Sequence, residues 1–224
     1  MDRGYIYVNK KSFVNNLKYL SQVSKKKTCL VVKANAYGHG IEWSVRNAKE
    51  IGVEWFAVAS IDEGIQVKQA FKDSRVLLLA EPSVSQIDNI LKNDLDLTVY
   101  SDSFIDALID TGNEYNVHLK IDTGMHRIGC SPEKFDYFLE KINDSNLSLA
   151  GICTHFPLAD TDKGDTRTLA PTRLRDNVRI EVISFRMMGM ARTRPSLRIK
   201  KPLLTLSVQA GTDVPLGGHA PYLG

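Results

Sequence analysis

The first candidate for chemistry is a lysine that ends an apolar run. Lys33 closes the run CLVVK, and the segment ANAYGHG, which contains Tyr37, follows it. Partial burial would lower the pKa of such a lysine, and a neutral amine can form an imine with a carbonyl. The alternative is a lysine that reaches solvent from a strand end, and its position alone leaves both open. The Tyr37 hydroxyl can donate a hydrogen bond to a phosphate, although a loop tyrosine often only packs.

Arg127 and His155 are two further candidates, and each lies at or after the end of an apolar run. Arg127 lies just past the run Val117–Ile121, and His155 ends the run GICTH. An arginine offers a fixed cation with several donors, but it also forms ordinary surface ion pairs. A strand-end histidine is more often a packing residue than a ligand. In a (β/α) barrel the carboxyl ends of the strands share one face, so Lys33, Tyr37, Arg127 and His155 are predicted to converge there.

The elements that must position these residues form one repeated pattern over the first 160 residues. Short apolar runs alternate with segments of helical period, such as Ile61–Ala70 and Ser83–Leu91. Most runs begin about 20–25 residues apart, the length of one βα unit, and continuous apolar strands suit a parallel sheet. No glycine-rich dinucleotide fingerprint follows any run, so we predict an α/β fold of the incomplete (β/α) barrel type. The predicted strands are Tyr5–Val8, Cys29–Ala34, Trp55–Ala59, Arg75–Ala80, Leu95–Tyr100, Val117–Ile121 and Leu149–Thr154.

The pattern and the charge both change near residue 160. Residues 1–160 carry 18 basic and 21 acidic side chains, whereas residues 161–224 carry 11 and 5. A basic segment can bind nucleic acid, but these arginines are scattered and have few aromatic neighbours, so we predict no nucleic-acid partner. Val178–Phe185 and Leu203–Val208 are further strand candidates.

Composition excludes several classes of protein. With 43% hydrophobic and 25% charged residues among 224, the chain is of ordinary globular composition and not disordered or collagen-like. No apolar run approaches the roughly 18 residues of a membrane span, and the start lacks the apolar region of a signal peptide. Cys29, Cys130 and Cys153 lie far apart without metal-ligand spacing, which indicates reduced thiols, no metal and a cytoplasmic location.

The segments VVKANAYGHG, HLKIDTGMHRIGC and GICTHFPLAD together closely resemble the fold-type III alanine racemases. These are pyridoxal-phosphate enzymes with an N-terminal barrel and a C-terminal β-domain. The resemblance implies that Lys33 holds the cofactor as an imine and acts as one of two racemising bases. It also implies that Tyr37 contacts the cofactor phosphate, His155 lies near the ring, and Arg127 lies beside the phenolic oxygen and the substrate. Lys120 matches a family lysine that is often carbamylated.

The resemblance is good over residues 1–160 and patchy beyond them. Arg179 resembles the family arginine opposite the pyridine nitrogen. Between His155 and Arg179 the family has a βα stretch with an H-x-A-N-S motif that is missing here, so we expect a barrel short of about one βα unit. In AGTDVPLGG, Leu216 takes the place of the family tyrosine that is the second base. Leucine cannot transfer a proton, so we expect little or no racemase activity.

The sequence therefore predicts a cofactor-binding barrel over residues 1–186. Residues 187–224 are predicted to be a remnant of the C-terminal β-domain, with the rest of that domain truncated. The predicted function is racemisation of L-alanine and D-alanine with pyridoxal 5'-phosphate, which supplies D-alanine for peptidoglycan. Alternatives are a non-catalytic pyridoxal-phosphate-binding protein, a racemase for another amino acid such as serine, or a chain that does not fold stably. The expected partners are an amino-acid substrate and, from the family, a second copy in a homodimer; no membrane partner is expected.

Overall fold

A parallel β-sheet surrounded by helices forms the fold. A computed structural model describes residues 7–24 and 27–155, together with the backbone of residues 181–182 and 205–209. The strands are β1 (Lys27–Val31), β2 (Trp55–Val58), β3 (Arg75–Leu78), β4 (Asp96–Val99), β5 (Asn116–Ile121), β6 (Ser148–Thr154), β7 (Glu181–Val182) and β8 (Thr205–Gln209). Their order is β7-β6-β5-β4-β3-β2-β1-β8, and every pairing is parallel.

The helices connect successive strands and cover the outside of the sheet. They are α1 (Lys10–Ser24), α2 (Lys33–Tyr37), α3 (Ile41–Lys49), α4 (Ile61–Ala70), α5 (Ile87–Lys92), α6 (Asp102–Asp110) and α7 (Phe135–Asn143). The sheet curls so that its edge strands β7 and β8 come into contact, and no hydrogen-bonded ladder joins them in the part of the chain that is described. The predicted (β/α) barrel architecture is therefore confirmed as an incomplete barrel.

Both faces of the sheet are buried, which explains the continuous apolar runs in the sequence. Along β1, Leu30 belongs to the large core beneath the helices, whereas Cys29 and Val31 belong to a second apolar cluster. The same alternation divides β2, where Phe56 lies in the large core and Ala57 in the second cluster. The second cluster therefore fills the concave side of the curled sheet.

Six of the seven strands predicted in the first 160 residues are confirmed, and the seventh, Tyr5–Val8, lies only partly within the described residues. Tyr7 and Val8, the described part of the predicted strand Tyr5–Val8, lie outside any strand. Tyr7 is 91% exposed, so it has none of the burial that stabilises a strand of this sheet. β1 also ends at Val31, before the predicted end at Ala34, because the chain next enters a turn whose residues from Ala34 onward have a left-handed backbone conformation.

The late strands fall where the sequence predicts strands. β7 lies within Val178–Phe185 and pairs with β6, whereas β8 overlaps Leu203–Val208 and pairs with β1. β8 lies in the segment assigned to the C-terminal remnant, and its backbone continues the barrel sheet. The boundary after residue 186 stays a prediction. Among the described residues, no helix is long and apolar enough to cross a membrane.

Candidate active site

The predicted site residues lie at the carboxyl ends of strands on opposite sides of the curled sheet. Lys33 follows β1, Lys120 is the last residue but one of β5, and His155 directly follows β6. Arg127 lies in the loop after β5. Lys120, Arg127 and His155 line one small cavity there. Burial lowers the pKa of His155, and the positive charges of Lys120, Arg127 and Lys33 lower it further, so Lys33 is also near. Of the four residues predicted to converge, Lys33, Arg127 and His155 thus lie at this end of the barrel, and Tyr37 ends the turn that Lys33 begins. Their roles stay predictions.

The turn after β1 has an unusual backbone. Four consecutive residues other than glycine, Ala34, Asn35, Ala36 and Tyr37, have φ between 51° and 54°, so α2 is one left-handed turn. This conformation costs an L-residue roughly 1–2 kcal/mol and normally occurs at single positions. The Asn35 carbonyl accepts the Gly40 N–H at 2.9 Å, and its side-chain oxygen accepts the Ile41 N–H at 3.0 Å. Asn35 therefore ties the left-handed turn to the start of α3.

Lys33 begins this turn, and its surroundings favour the neutral amine. Burial lowers the pKa of Lys33, the charge of Arg127 lowers it further, and the charge of Glu63 opposes both. A larger share of the side chain is therefore a neutral nucleophile at a given pH than for an exposed lysine.

Tyr37 ends the turn with its ring against the second apolar cluster. Its hydroxyl is buried and has no hydrogen-bond partner among the described residues. Burial, with the nearby charge of Glu63, raises the pKa of Tyr37 to about 12, so the hydroxyl keeps its proton at neutral pH. A buried hydroxyl of this kind can donate to an acceptor such as a phosphate oxygen.

The loop that carries Arg127 is held by Asp122 at the end of β5. One Asp122 carboxylate oxygen accepts the N–H groups of Gly124 and His126, each at 3.0 Å. The other oxygen lies 3.1 Å from the His126 ring nitrogen Nδ1. These bonds lower the pKa of Asp122 in spite of its partial burial. The loop is therefore preorganised before any ligand binds.

The same loop is closed at its base by a backbone pairing. Cys130 donates to the Lys120 carbonyl and accepts from the Asp122 N–H, both at 2.9 Å. Gly129 has φ +127°, and a Cβ there would lie 2.6 Å from the Asp122 nitrogen. Only glycine fits this approach, so the loop returns to β5 within a short span and keeps Arg127 at the barrel end.

Lys120 is a buried lysine that borders the same site. Its side chain, with those of Met125, Arg127 and His155, lines a small cavity. Burial lowers the pKa of Lys120, and the charge of Arg127 adds to this effect. A larger fraction of Lys120 is thus in the neutral amine form at a given pH than for a surface lysine.

His155 is the neutral member of the group. Burial lowers its pKa to about 4, and the positive charges of Lys120, Arg127 and Lys33 act in the same direction. At neutral pH the imidazole is therefore uncharged.

Two features of the site were not predicted from the sequence. The Thr123 and Thr154 hydroxyls lie 2.7 Å apart, and Thr154 also donates to the Ile121 carbonyl at 2.8 Å, which joins the ends of β5 and β6. Glu63 reaches from α4 to the turn after β1. Its position three residues after Ser60 is the sequence signature of a capping box, but nothing local reveals the contact with the turn.

Arg179 and Leu216 lie outside the described residues, so their predicted places are not observed. In the described ranges, no group of three or more histidine, cysteine, aspartate or glutamate side chains is arranged to hold a metal ion.

Comparison with known proteins identifies the family. Residues 8–211 match the family described as alanine racemase, N-terminal domain. The chain belongs to the alanine racemase family. It is 38% identical over 159 residues to an alanine racemase of Treponema denticola, covering 66% of this chain and 42% of that protein. It is 36% identical over 162 residues to an amino-acid racemase of Enterococcus faecalis, covering 71% of this chain and 23% of that protein.

Solved structures give the same result for the fold. The crystal structure of alanine racemase from Oenococcus oeni superposes with a TM-score of 0.70 at 32% identity, covering 79% of this chain and 55% of that one. The chain thus spans less than half the length of the curated relatives described above. The match to the racemase N-terminal domain agrees with the half-barrel that the strands form.

Proposed function

We propose that this chain binds pyridoxal 5'-phosphate and takes part in the interconversion of L-alanine and D-alanine, which provides D-alanine for the cell wall. One observation carries the proposal: a lysine with a lowered pKa and a tyrosine whose buried hydroxyl has no partner among the described residues lie on one turn. Around them stand Arg127 and His155, as the family relationship leads one to expect. The substrate is a small amino acid, and the cytoplasm is the expected location.

The residues present fit the cofactor. Lys33 would hold its carbonyl carbon, and the Tyr37 hydroxyl would donate to its phosphate. His155, neutral at pH 7, would lie against the ring, and Arg127 would contact the phenolic oxygen and the substrate carboxylate. From the sequence, Arg179 would face the pyridine nitrogen. When bound, the cofactor withdraws electrons from the substrate Cα and so weakens the Cα–H bond.

The remaining chemistry is proton transfer on two faces of Cα. Lys33 Nζ removes or returns the proton on one face. On the other face the family segment supplies a tyrosine, for which this chain has Leu216. Losing one general acid–base group lowers the rate by about 10²–10⁴-fold, so we expect weak turnover from this chain alone.

Lys120 is proposed to carry a carbamate. The Lys120 ammonium would first lose a proton, and the neutral amine would then add carbon dioxide and release a second proton. A buried cation beside Arg127 would so become an anion. Because Arg127 lowers the pKa of Lys120, the two cations oppose each other, and the modification would replace that repulsion with attraction. A homodimer, as expected for the family, belongs to the same proposal.

Two alternatives are favoured by particular observations. Leu216 suits a protein that holds the cofactor without turnover. The match to a relative described as an amino-acid racemase, a name that specifies no substrate, keeps open a racemase for another amino acid such as serine. Both alternatives keep the role of Lys33 as the cofactor lysine.

Borohydride trapping tests the proposal. The purified chain is incubated with pyridoxal phosphate, reduced with borohydride and digested, and the labelled peptide is mapped. Label on Lys33 alone is expected. Assays with both enantiomers of alanine and serine then distinguish an alanine racemase, a racemase for another amino acid and a cofactor-binding protein without turnover. Label spread over surface lysines, or none, would contradict the proposed cofactor site.

A further inference from the structure

The left-handed turn needs support from outside itself. Each of its four residues carries the conformational cost of a positive φ, and such a backbone persists only where its surroundings fix it. The hydrogen bonds of Asn35 anchor the end of the turn at α3. The start of the turn, directly after Lys33, is held by a different βα unit.

Glu63 supplies that support from the first turn of α4. One carboxylate oxygen accepts the Ala34 N–H at 2.6 Å. The other accepts the N–H groups of Ala59 at 2.9 Å and Ser60 at 3.3 Å. The Ser60 hydroxyl in turn accepts the Glu63 N–H at 3.3 Å. The carboxylate is therefore fixed on the α4 side before it contacts the turn.

Two observations show that the contact concerns the site and not the helix cap alone. A capping box needs only Ser60 and the nearer oxygen of Glu63, so the oxygen on Ala34 is additional to the cap. Ala34 is also the residue next to Lys33, and the charge of Glu63 acts on both Lys33 and Tyr37. Glu63 thus lies beside both ends of the left-handed turn.

We propose that Glu63 is a positioning residue, whose carboxylate accepts the Ala34 N–H and so locks the left-handed turn that carries Lys33 and Tyr37. The role of the turn in holding pyridoxal phosphate rests on the proposed function. The locking of the turn rests on the hydrogen bonds alone. Glu63 touches neither substrate nor cofactor in this assignment.

Hydrogen–deuterium exchange on the full chain without cofactor tests the lock directly. Glu63→Ala is expected to speed exchange of the segment 33–41 by about tenfold or more, because a hydrogen bond to a charged acceptor is lost. Ser60→Ala breaks the capping box but leaves the Ala34 contact. Asp62→Ala removes a charge from the same helix turn, and the Asp62 side chain makes no hydrogen bond among the described residues. Both controls are expected to change exchange in 33–41 by less than about twofold.

A second variant guards against loss of folding. Glu63→Asp keeps the charge and the acidic helix start but withdraws the carboxylate by one methylene, so it should also release the turn. Equal exchange in 33–41 for wild type and Glu63→Asp, or an equal effect of Ser60→Ala, would overturn the proposal.

Borohydride trapping separates this proposal from the proposed function. The Glu63 variants are expected to need about tenfold more pyridoxal phosphate for half-maximal label on Lys33, whereas the two controls match wild type. If wild type takes no label, the proposed function fails, and the exchange comparison still decides the role of Glu63. If wild type and the Glu63 variants take label equally, Glu63 does not position Lys33.

Discussion

The two ends of the barrel interior both hold charged side chains, but they arrange them in opposite ways. At the amino ends of the strands, the Arg75 guanidinium lies 2.6 Å from the Asp96 carboxylate and 4.2 Å from the centre of the Trp55 ring. The same carboxylate lies 3.6 Å from His118 Nε2, and His118 packs edge-on against Trp55. Opposite charges and aromatic faces therefore satisfy one another there.

At the carboxyl ends, positive groups are gathered together. Arg127 lowers the pKa values of both Lys33 and Lys120, and all three lower that of His155. Crowding of like charge destabilises a fold, so it persists where it serves binding of an anion or chemistry. The amino end of the barrel thus pairs its charges, whereas the carboxyl end keeps like charges together, and the carboxyl end is where other (β/α) barrels carry their active sites.

The largest effect should come from Lys33→Ala. We expect all borohydride label at this position to disappear, while the free energy of unfolding changes by less than about 1 kcal/mol, because burial and Arg127 already disfavour the charged lysine. Peptide mapping and urea unfolding measure the two quantities. Lys27→Ala, at the exposed opposite end of the same strand, serves as the control and should keep the label. A large fall in the free energy of unfolding of Lys33→Ala would contradict the expectation that the charged groups of the carboxyl end contribute little to stability.

Asp96→Asn tests the amino end. The Asp96 side chain is 4% exposed, whereas that of Arg75 is 45% exposed. Replacing the carboxylate by an amide weakens a charge-assisted hydrogen bond in this partly buried pair, so we expect the free energy of unfolding to fall by about 2 kcal/mol. Asp94→Asn removes a carboxylate that is 84% exposed and bonded to Lys68 at 2.7 Å, and should cost under about 1 kcal/mol. Urea unfolding compares them. Equal losses would show that the buried cluster contributes no more than a surface ion pair.

Gly129→Ala should disturb the carboxyl end through backbone geometry. Its Cβ would lie 2.6 Å from the Asp122 nitrogen, so the loop that holds Arg127 must shift, at a cost of about 2 kcal/mol. Gly112→Ala is the control, because Gly112 also has positive φ (+70°) but no atom within 4 Å of the added Cβ. Urea unfolding and trapping at Lys33 are both measured. An equal result in the two variants would mean that the close approach is unimportant.

Much of the fold follows from local pattern. Apolar runs such as Trp55–Ala59 and Arg75–Ala80 become strands because both faces of this sheet are buried, so no alternation is needed to recognise them. The run Tyr5–Val8 has a similar apolar pattern, yet Tyr7 and Val8 lie outside any strand, which no local pattern can show. The left-handed turn is equally hidden, because its sequence KANAY contains no glycine and its conformation depends on groups outside it.

The site is predictable only in part for a similar reason. Lys33, Tyr37, Arg127 and His155 can be predicted because strand ends converge in a barrel, whereas Lys120 is recognised only through the family resemblance. Glu63 is recognisable locally only as a helix cap, and its second contact joins residues 29 positions apart. Glu81 likewise accepts the Tyr100 and Ser101 N–H groups from the next βα unit. Such contacts depend on strand order and register, which the sequence pattern does not specify.

The smallest effect concerns the charge of Lys120 as sensed by His155. In buffer free of carbon dioxide, Lys120→Met removes a cation, so the pKa of His155 should rise from about 4 toward 6.5 but stay below it, because burial is the larger cause. Proton NMR titration of the imidazole measures this. An unfolded histidine takes up its proton below about pH 6.5, before His155 does. The stability that neutral His155 supports is therefore lost as the pH falls from about 6.5 to about 4. Because Lys120→Met raises the lower limit of this pH range, the range over which stability falls becomes narrower.

Carbon dioxide turns the same titration into a test of carbamylation. If bicarbonate converts Lys120 into a carbamate, the wild-type residue becomes an anion and the pKa of His155 should rise above its value in carbon-dioxide-free buffer. Lys120→Met cannot be modified, so its His155 pKa should not respond to bicarbonate. If bicarbonate leaves the His155 pKa of the wild type unchanged as well, Lys120 is not carbamylated. The carboxyl end would then keep three positive groups, Lys33, Lys120 and Arg127, to attract an anion. A response in both proteins would trace the effect to another group.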